Sequence, residues 1–255
     1  MTGVRLHIAQ GIAELWLDNP AKLNCFTVEM LGQLAAHLEH IEALPDVRAV
    51  VVTGEGDRAF CSGADINAWG DLAAAEFARA WVRGGHRLFD RLARLAKPTV
   101  AALNGHAFGG GLELAAACDI RVMVPEATLA LPEAGVGIVP GWSGTQRLCR
   151  LLPEPMVKEM ALFGRRIGAD RALACGFVAE VAVDARAAAH RIAGGVAALS
   201  PRATEITKAM MHAGAGEDTA AMIEALGAAA IAASDDRAKG VAAFRAKFKP
   251  EFSGT

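Results

Sequence analysis

Three consecutive glycines, Gly109–Gly110–Gly111, stand just ahead of Glu113 in the stretch Asn104–Asp119. Glycine lets the backbone approach a ligand closely. Leu112–Cys118, rich in Ala and Leu, suits a helix, and a helix N-terminus offers unpaired N–H groups with a partial positive charge. A glycine turn feeding a helix start is therefore a place where a negative oxygen can be held. Glu113 falls in the first turn, within reach of whatever is held there. A glycine loop that simply packs a helix tightly on a sheet accounts for the stretch equally well. A second, similar corner, Cys61–Ser62–Gly63–Ala64–Asp65–Ile66, precedes it. A lone glutamate such as Glu113 is ordinarily a solvated surface residue.

Other chemistries lack their signatures. There is no G-x-G-x-x-G fingerprint, P-loop lysine, G-x-S-x-G or H-E-x-x-H. Ser62 and Ser143 show no base partner, so a serine nucleophile is not expected. His37 and His40 have a metal-like spacing on one helix, but no third ligand accompanies them, and a solvated helix face explains them. His106 reads as a pocket wall or packing residue.

The elements that must place these residues can be read from hydrophobic period and breakers. Val4–Ala9 and Ile12–Leu17 flank Gln10–Gly11 as a hairpin. Thr27 caps a helix over Val28–Leu44 with Met30, Leu31, Leu34, Leu38 and Ile41 at helical spacing. Val47–Thr53 reads as a buried parallel strand. A long helix is predicted over Leu72–Leu95, with Phe77, Ala80, Trp81, Leu88 and Leu92 on its apolar side. Pro98–Leu103, Asp119–Val124, Thr128–Leu131 and Phe177–Val183 read as strands. Thr145–Leu152, Pro155–Phe163 and Ala169–Cys175 read as helices. From Ala185 the chain is helical, with breaks at Ser200–Pro201 and Ala213–Gly216.

The 255 residues, 53% of them hydrophobic, suffice for one large domain or one domain with a small appendage. A net charge of −2 gives no electrostatic footprint for nucleic acid. Five scattered cysteines (Cys25, Cys61, Cys118, Cys149, Cys175), with no C-x-x-C, fit buried thiols in a reducing compartment. The N-terminus has no signal-peptide core, and the longest apolar run, Ala225–Ala233, is too short to span a bilayer. A cytoplasmic protein without a membrane partner is expected.

Four stretches together resemble the crotonase superfamily, and enoyl-CoA hydratases most of all. They are "CSGADI" (Cys61–Ile66), "NGHAFGGGLELAAACDI" (Asn104–Ile120), "LPEAGVGIVPGWSGTQRL" (Leu131–Leu148) and "GVAAFRAKFKPEF" (Gly240–Phe252), spread over nearly the whole chain in the family's order. The resemblance implies an α/β fold: a spiral of β-β-α units over residues 1–190 carrying the acyl-CoA site, and a helical oligomerisation region over 191–255. It implies a homotrimer or a dimer of trimers. It implies that Ala64 and Gly110 donate backbone N–H groups to a thioester oxygen. Glu133 would exchange the proton at the α-carbon, and Glu113 would activate the water that adds at the β-carbon. Lys22, Leu23, Ser62, Ala64, Asp65, Ile66, Asn67, Gly110, Trp142, Phe244 and Lys247 match substrate- or CoA-binding positions. No metal and no cofactor is implied, because coenzyme A arrives as part of the substrate.

Two departures from the family pattern bear on the reaction. Trp142–Ser143 stands where hydratases commonly carry a small residue and a glycine. The indole could reshape the acyl pocket, keep water from the glutamates, or serve as a core or subunit-contact residue. Lys247–Phe248 stands where the family usually has Lys–Arg, so one cation is missing, and simple packing also accounts for Phe244. The reading is a hydratase acting on a 2-enoyl-CoA. An enoyl-CoA isomerase, another reaction of the family such as decarboxylation or thioester hydrolysis, and a non-catalytic acyl-CoA-binding relative are the alternatives.

Overall fold

The computed structural model describes residues 2–255 and divides into two compact units, Met1–Glu205 and Ile206–Thr255. The first unit holds ten strands: β1 (Gly3–Ala9), β2 (Ile12–Asp18), β3 (Ala49–Gly54), β4 (Ala59–Cys61), β5 (Thr99–Leu103), β6 (His106–Phe108), β7 (Ile120–Met123), β8 (Thr128–Ala130), β9 (Ile167–Gly168) and β10 (Glu180–Val181). They form a six-stranded sheet, β1-β2-β3-β5-β7-β10, and a four-stranded sheet, β4-β6-β8-β9. The β1–β2 hairpin is antiparallel and turns on Gln10 and Gly11, both with positive φ. The rest of the large sheet is parallel. Each strand pair β3–β4, β5–β6 and β7–β8 steps from the large sheet to the small one before the chain turns into a helix. This is the β-β-α spiral that the motifs imply.

The helices of this unit are α1 (Val28–Ala43), α2 (Ala74–Glu76), α3 (Arg83–Ala93), α4 (Gly110–Ala117), α5 (Gly144–Leu151), α6 (Glu154–Phe163), α7 (Ala169–Ala174) and α8 (Ala185–Gly195). α1 starts where Thr27 accepts from the Met30 N–H, and it buries Met30, Leu34, Leu38 and Ile41. β3 is buried along its whole length, as a central parallel strand should be. Val50 and Val52 face the main core with Phe26, Phe60 and Phe89. Ala49 and Val51 face the other way, onto Ala185, Ala188, Ala189 and Ala193 of α8. Alternation along one strand thus fills two layers.

α9 (Pro201–Gly214) leads to the second unit, which continues with α10 (Thr219–Ala232) and α11 (Asp235–Ala246), the latter capped by Ser234. α10 leaves Ile223, Leu226 and Ile231 exposed. Among the described residues no helix is long and apolar enough to cross a membrane.

Several elements differ from the sequence-based expectation. The helix predicted from Leu72 starts at Ala74 and contains a π-helical segment, Phe77–Val82, before α3. The wider turn shifts the facing of the residues within and after it, so Ala80 is exposed and Phe89 takes a core position. A short strand, β6, intervenes between β5 and the glycines. The strand predicted over Phe177–Val183 shrinks to β10. Phe177 and Val178 are core residues just past α7, and the Phe177 carbonyl accepts from Arg121 instead of from a neighbouring strand. All five cysteines are free, but only Cys25, Cys61 and Cys118 are buried; Cys175 is half-buried and Cys149 exposed.

Candidate active site

The first glycine corner comes directly after β4. Gly63 has φ 105, a region that favours glycine. Its carbonyl accepts from the Phe26 N–H at 2.8 Å, and the Asp65 N–H donates to the Phe26 carbonyl at 2.9 Å. This parallel bridge turns the Ala64 N–H away from Phe26. Asp65 caps the short turn Ile66–Ala68 through the Asn67 N–H.

The second corner comes directly after β6. Gly109 has φ 51, and its N–H donates to the Ala130 carbonyl at 3.0 Å. A Cβ at Gly109 would lie 2.8 Å from Glu133 Oε1, and one at Gly63 would lie 3.3 Å from the Gly110 nitrogen. The two corners and Glu133 therefore meet only because both positions lack side chains. Gly110 is the first residue of α4, so its N–H belongs to the unpaired first turn of that helix.

Glu113 projects from the same turn and is 3% exposed. Its Oε1 accepts from the Trp142 and Gly144 N–H groups, both at 2.7 Å. Burial pushes its carboxyl up to about 7, and the nearby Glu133 adds to the rise; the two amides and Arg147 pull the other way. Glu133 opens a short 3-10 turn, Glu133–Val136. It is 8% exposed, its Oε2 is buried with no hydrogen-bond partner among the described residues, and burial raises its carboxyl as well. An orphaned buried oxygen of this kind calls for a partner the fold itself does not supply.

Both glutamates line one cavity of about 170 Å³, together with Ser62, Ala64, Ile66, Gly110 and Trp142. Its apolar wall includes Trp69, Phe77, Trp81, Ile138 and Val139. Trp142 is 3% exposed. Its Nε1–H donates to the Trp81 carbonyl at 3.2 Å, and its ring packs at 5.2–5.3 Å centroid distance on Phe89 and Trp81. The indole is thus a core residue and a pocket wall at once, and its backbone holds Glu113.

The profile of the enoyl-CoA hydratase/isomerase family matches residues 7–255. The chain belongs to that family. It is 34% identical to a short-chain-enoyl-CoA hydratase of Clostridium acetobutylicum, over 94% of this chain and 93% of that one. It is also 34% identical to a crotonyl-CoA hydratase of Syntrophomonas wolfei, over 94% of each. The crystal structure of an enoyl-CoA hydratase from Bacillus anthracis superposes with a TM-score of 0.80 at 31% identity, covering 99% of each chain. The crotonase-type fold expected from the motifs is therefore the fold of this family member.

The remaining candidate residues of the first unit lie around the cavity's edge or away from it. Lys22 Nζ pairs with Asp65 at 2.7 Å on the surface. Ser62 donates its Oγ–H to the Lys22 carbonyl and its N–H to the Leu23 carbonyl, tying the early loop to the first corner. Leu23 has φ 53. Asn67 is exposed and bonds Asp65 Oδ1 rather than facing the cavity. Phe244 and Lys247 belong to the second unit. Phe244 is 86% exposed on α11, which excludes core packing within its own unit, and Lys247 is the left-handed C-cap of that helix. His37 Nε2 lies 2.9 Å from the Val4 carbonyl oxygen. His106 stacks on Phe108 and accepts from the Thr128 N–H, away from the cavity that holds the glutamates.

Ser143 does have a base partner, contrary to the sequence reading. Its Oγ lies 2.7 Å from His86 Nδ1. The two residues are far apart in sequence, so only the folded chain reveals the pair. Ser143 is buried and does not line the cavity, so the expectation against a serine nucleophile there is unchanged.

Proposed function

We propose that this protein is an enoyl-CoA hydratase: it adds water reversibly across the C2=C3 bond of a 2-enoyl-CoA and yields a 3-hydroxyacyl-CoA. The observation that carries the reading is the placement of two buried carboxyl groups and two amide-bearing corners around one cavity. The thioester oxygen takes the Ala64 and Gly110 N–H groups. Addition next to a thioester passes through an enolate, and preorganised donors at its oxygen contribute roughly 3 kcal/mol each in other enzymes. Glu113, anchored through Oε1, leaves its second oxygen for the incoming water and accepts its proton. Its carboxyl near 7 allows a substantial ionised fraction at neutral pH. Glu133, held towards the protonated form by burial, gives its proton to C2. Hydration leaves the proton on Glu113 and Glu133 ionised, so one proton passes back from Glu113 to Glu133 by exchange with water before the next turnover; the reverse reaction runs the same transfers backwards.

No metal or redox cofactor enters this scheme, since both proton transfers run through carboxyl groups. Lys22 supplies a cation for the pyrophosphate of CoA, and Ser62 a backbone carbonyl for the adenine. The exposed apolar residues of α10 support a homotrimer or a dimer of trimers, in which Phe244 and Lys247 serve the CoA of a neighbouring copy. The free cysteines support work in the reducing cytoplasm.

Crotonyl-CoA tests the reading directly. The proposal expects loss of the enoyl-thioester absorbance and a product heavier by one water. Binding without hydration, together with conversion of a 3-enoyl-CoA to its 2-enoyl isomer, would replace it with the isomerase reading. Trp142 in the cavity wall, excluding water, is the feature that would favour that reading.

A further inference from the structure

Ser143 occupies the left-handed region at φ 76 without being glycine, at the point where the chain passes between the two amides that hold Glu113. Such backbone persists only where its surroundings over-determine it. Here the surroundings are α3. His86 Nδ1 meets Ser143 Oγ at 2.7 Å, and His86 Nε2 lies 3.2 Å from Asp90 Oδ2, one turn along the same helix. With Nε2–H donating to Asp90, Nδ1 accepts from the serine hydroxyl. Asp90 Oδ1 also accepts from Arg147 Nη2 at 2.6 Å, and Arg147 returns a backbone N–H to the Ser143 carbonyl at 2.9 Å. Helix α3 thus grips the loop at Ser143 and, beyond Gly144, at Arg147. Gly144 itself fits closely, since a Cβ there would lie 2.7 Å from Glu113 Oε1.

We propose that His86 is a positioning residue for Glu113: through the Ser143 hydroxyl it fixes the Trp142–Gly144 segment so that both amides stay aimed at one carboxylate oxygen. His86 is not among the residues that line the cavity. The charged groups facing it are Asp90 and, through Asp90, Arg94 and Arg147. Those facing Glu113 are Glu133 and Arg147. Only the kinetic arm of the test rests on the hydratase reading.

The test compares the parent enzyme with His86→Ala, Ser143→Ala, the double variant and His86→Asn. Asparagine places a hydrogen-bonding atom near the position of Nδ1. Misplacing a catalytic group by about 1 Å costs on the order of a hundredfold. His86→Ala and Ser143→Ala are therefore each expected to lower kcat for crotonyl-CoA by about 10- to 100-fold, with KM held within about threefold. The double variant should be no worse than either single one, as expected for residues acting in one chain. His86→Asn should recover most of the loss. Two amides stabilise the ionised carboxylate, so loosening them raises its proton affinity, and the acid limb of the kcat profile should move to higher pH. Infrared titration of the Glu113 carboxyl, assigned by its absence in Glu113→Gln, reads the same upward shift without turnover. A parent enzyme that hydrates nothing would sink the hydratase reading while the infrared titration still decides this one. A carboxyl that titrates alike in parent, His86→Ala and Ser143→Ala overturns the inference. So does a loss that His86→Asn fails to recover in a folded protein, or one confined to KM.

Discussion

Replacing Gly85 by alanine puts a methyl group where the indole of Trp142 already lies. A Cβ at that position would sit 2.2 Å from Trp142 Nε1 and 2.4–2.5 Å from Cε2 and Cδ1. The indole has little room to retreat. Phe89 and Trp81 pack against it, Phe26 approaches at 6.1 Å, and a Cβ at Gly110 would already be 2.8 Å from Cε3 and Cζ3 of the ring. Overpacking a core costs typically about 1–3 kcal/mol. Against it, Gly→Ala within a helix gains about 0.5–1 kcal/mol. The net expectation for Gly85→Ala is a loss of up to about 2.5 kcal/mol. The neighbouring Gly84, in the same helix, has nothing within 4 Å of its would-be Cβ. Gly84→Ala should therefore show the gain alone. Thermal and urea denaturation at one fixed protein concentration would measure both, at roughly 2–4 °C per kcal/mol for a chain of this size. In a Trp142→Ala background the clash is gone, and Gly85→Ala should become neutral or stabilising. If Gly85→Ala were as stable as Gly84→Ala in the parent, or kept its penalty without the indole, the steric argument would be wrong.

The same geometry has other consequences. Trp142→Ala enlarges the acyl cavity, so kcat/KM for octenoyl-CoA relative to crotonyl-CoA should rise by about tenfold or more, at roughly 0.8 kcal/mol per methylene newly buried; an unchanged ratio would show that the indole does not bound the acyl chain. Burial works to raise the Glu14 carboxyl, yet bonds from Arg186 and His190 outweigh it and hold the group at about 2, below its usual 4.5. That stability is fully present above 4.5 and is lost as pH falls towards 2, so Arg186→Met should cost up to about 3 kcal/mol near neutrality and progressively less below pH 4.5 in denaturation midpoints. Glu113 has the opposite sign. Raised to about 7 from 4.5, its ionised form is disfavoured in the folded protein, so stability falls as pH climbs between those values. Glu113→Gln keeps an acceptor for the two amides and should be more stable than the parent by up to about 3 kcal/mol at pH 8, with little difference at pH 4.

Much of the site is legible in the sequence because it is local. A glycine run between a strand and a helix start already dictates a turn with unpaired amides, and Glu113 falls in the first turn by counting. Thr27, the Gln10–Gly11 turn and the apolar period of α1 are local in the same way. The features that escaped the sequence depend on partners far along the chain. The Ser143–His86 bond joins two distant elements, and nothing near Ser143 announces it. The π-helical segment Phe77–Val82 shifts the helix face so that Phe89, not Ala80, enters the core. Phe177 and Val178 have strand character but spend it on core burial, leaving only Glu180–Val181 to pair with β7. Trp142 read as either core or pocket, and it is both, because the cavity is a gap in the core itself.

The division of labour between the two glutamates is the central claim, and hydration of crotonyl-CoA by Glu113→Gln and Glu133→Gln, beside the parent, tests it most directly. Both variants are expected to fold and to bind substrate, and each to lose about a hundredfold or more in kcat, the order expected for acid–base groups. In deuterated water, exchange of the α-proton of a saturated acyl-CoA should survive in Glu113→Gln and vanish in Glu133→Gln. Hydration within tenfold of the parent in either variant, or α-proton exchange that depends on Glu113 instead of Glu133, would contradict the account.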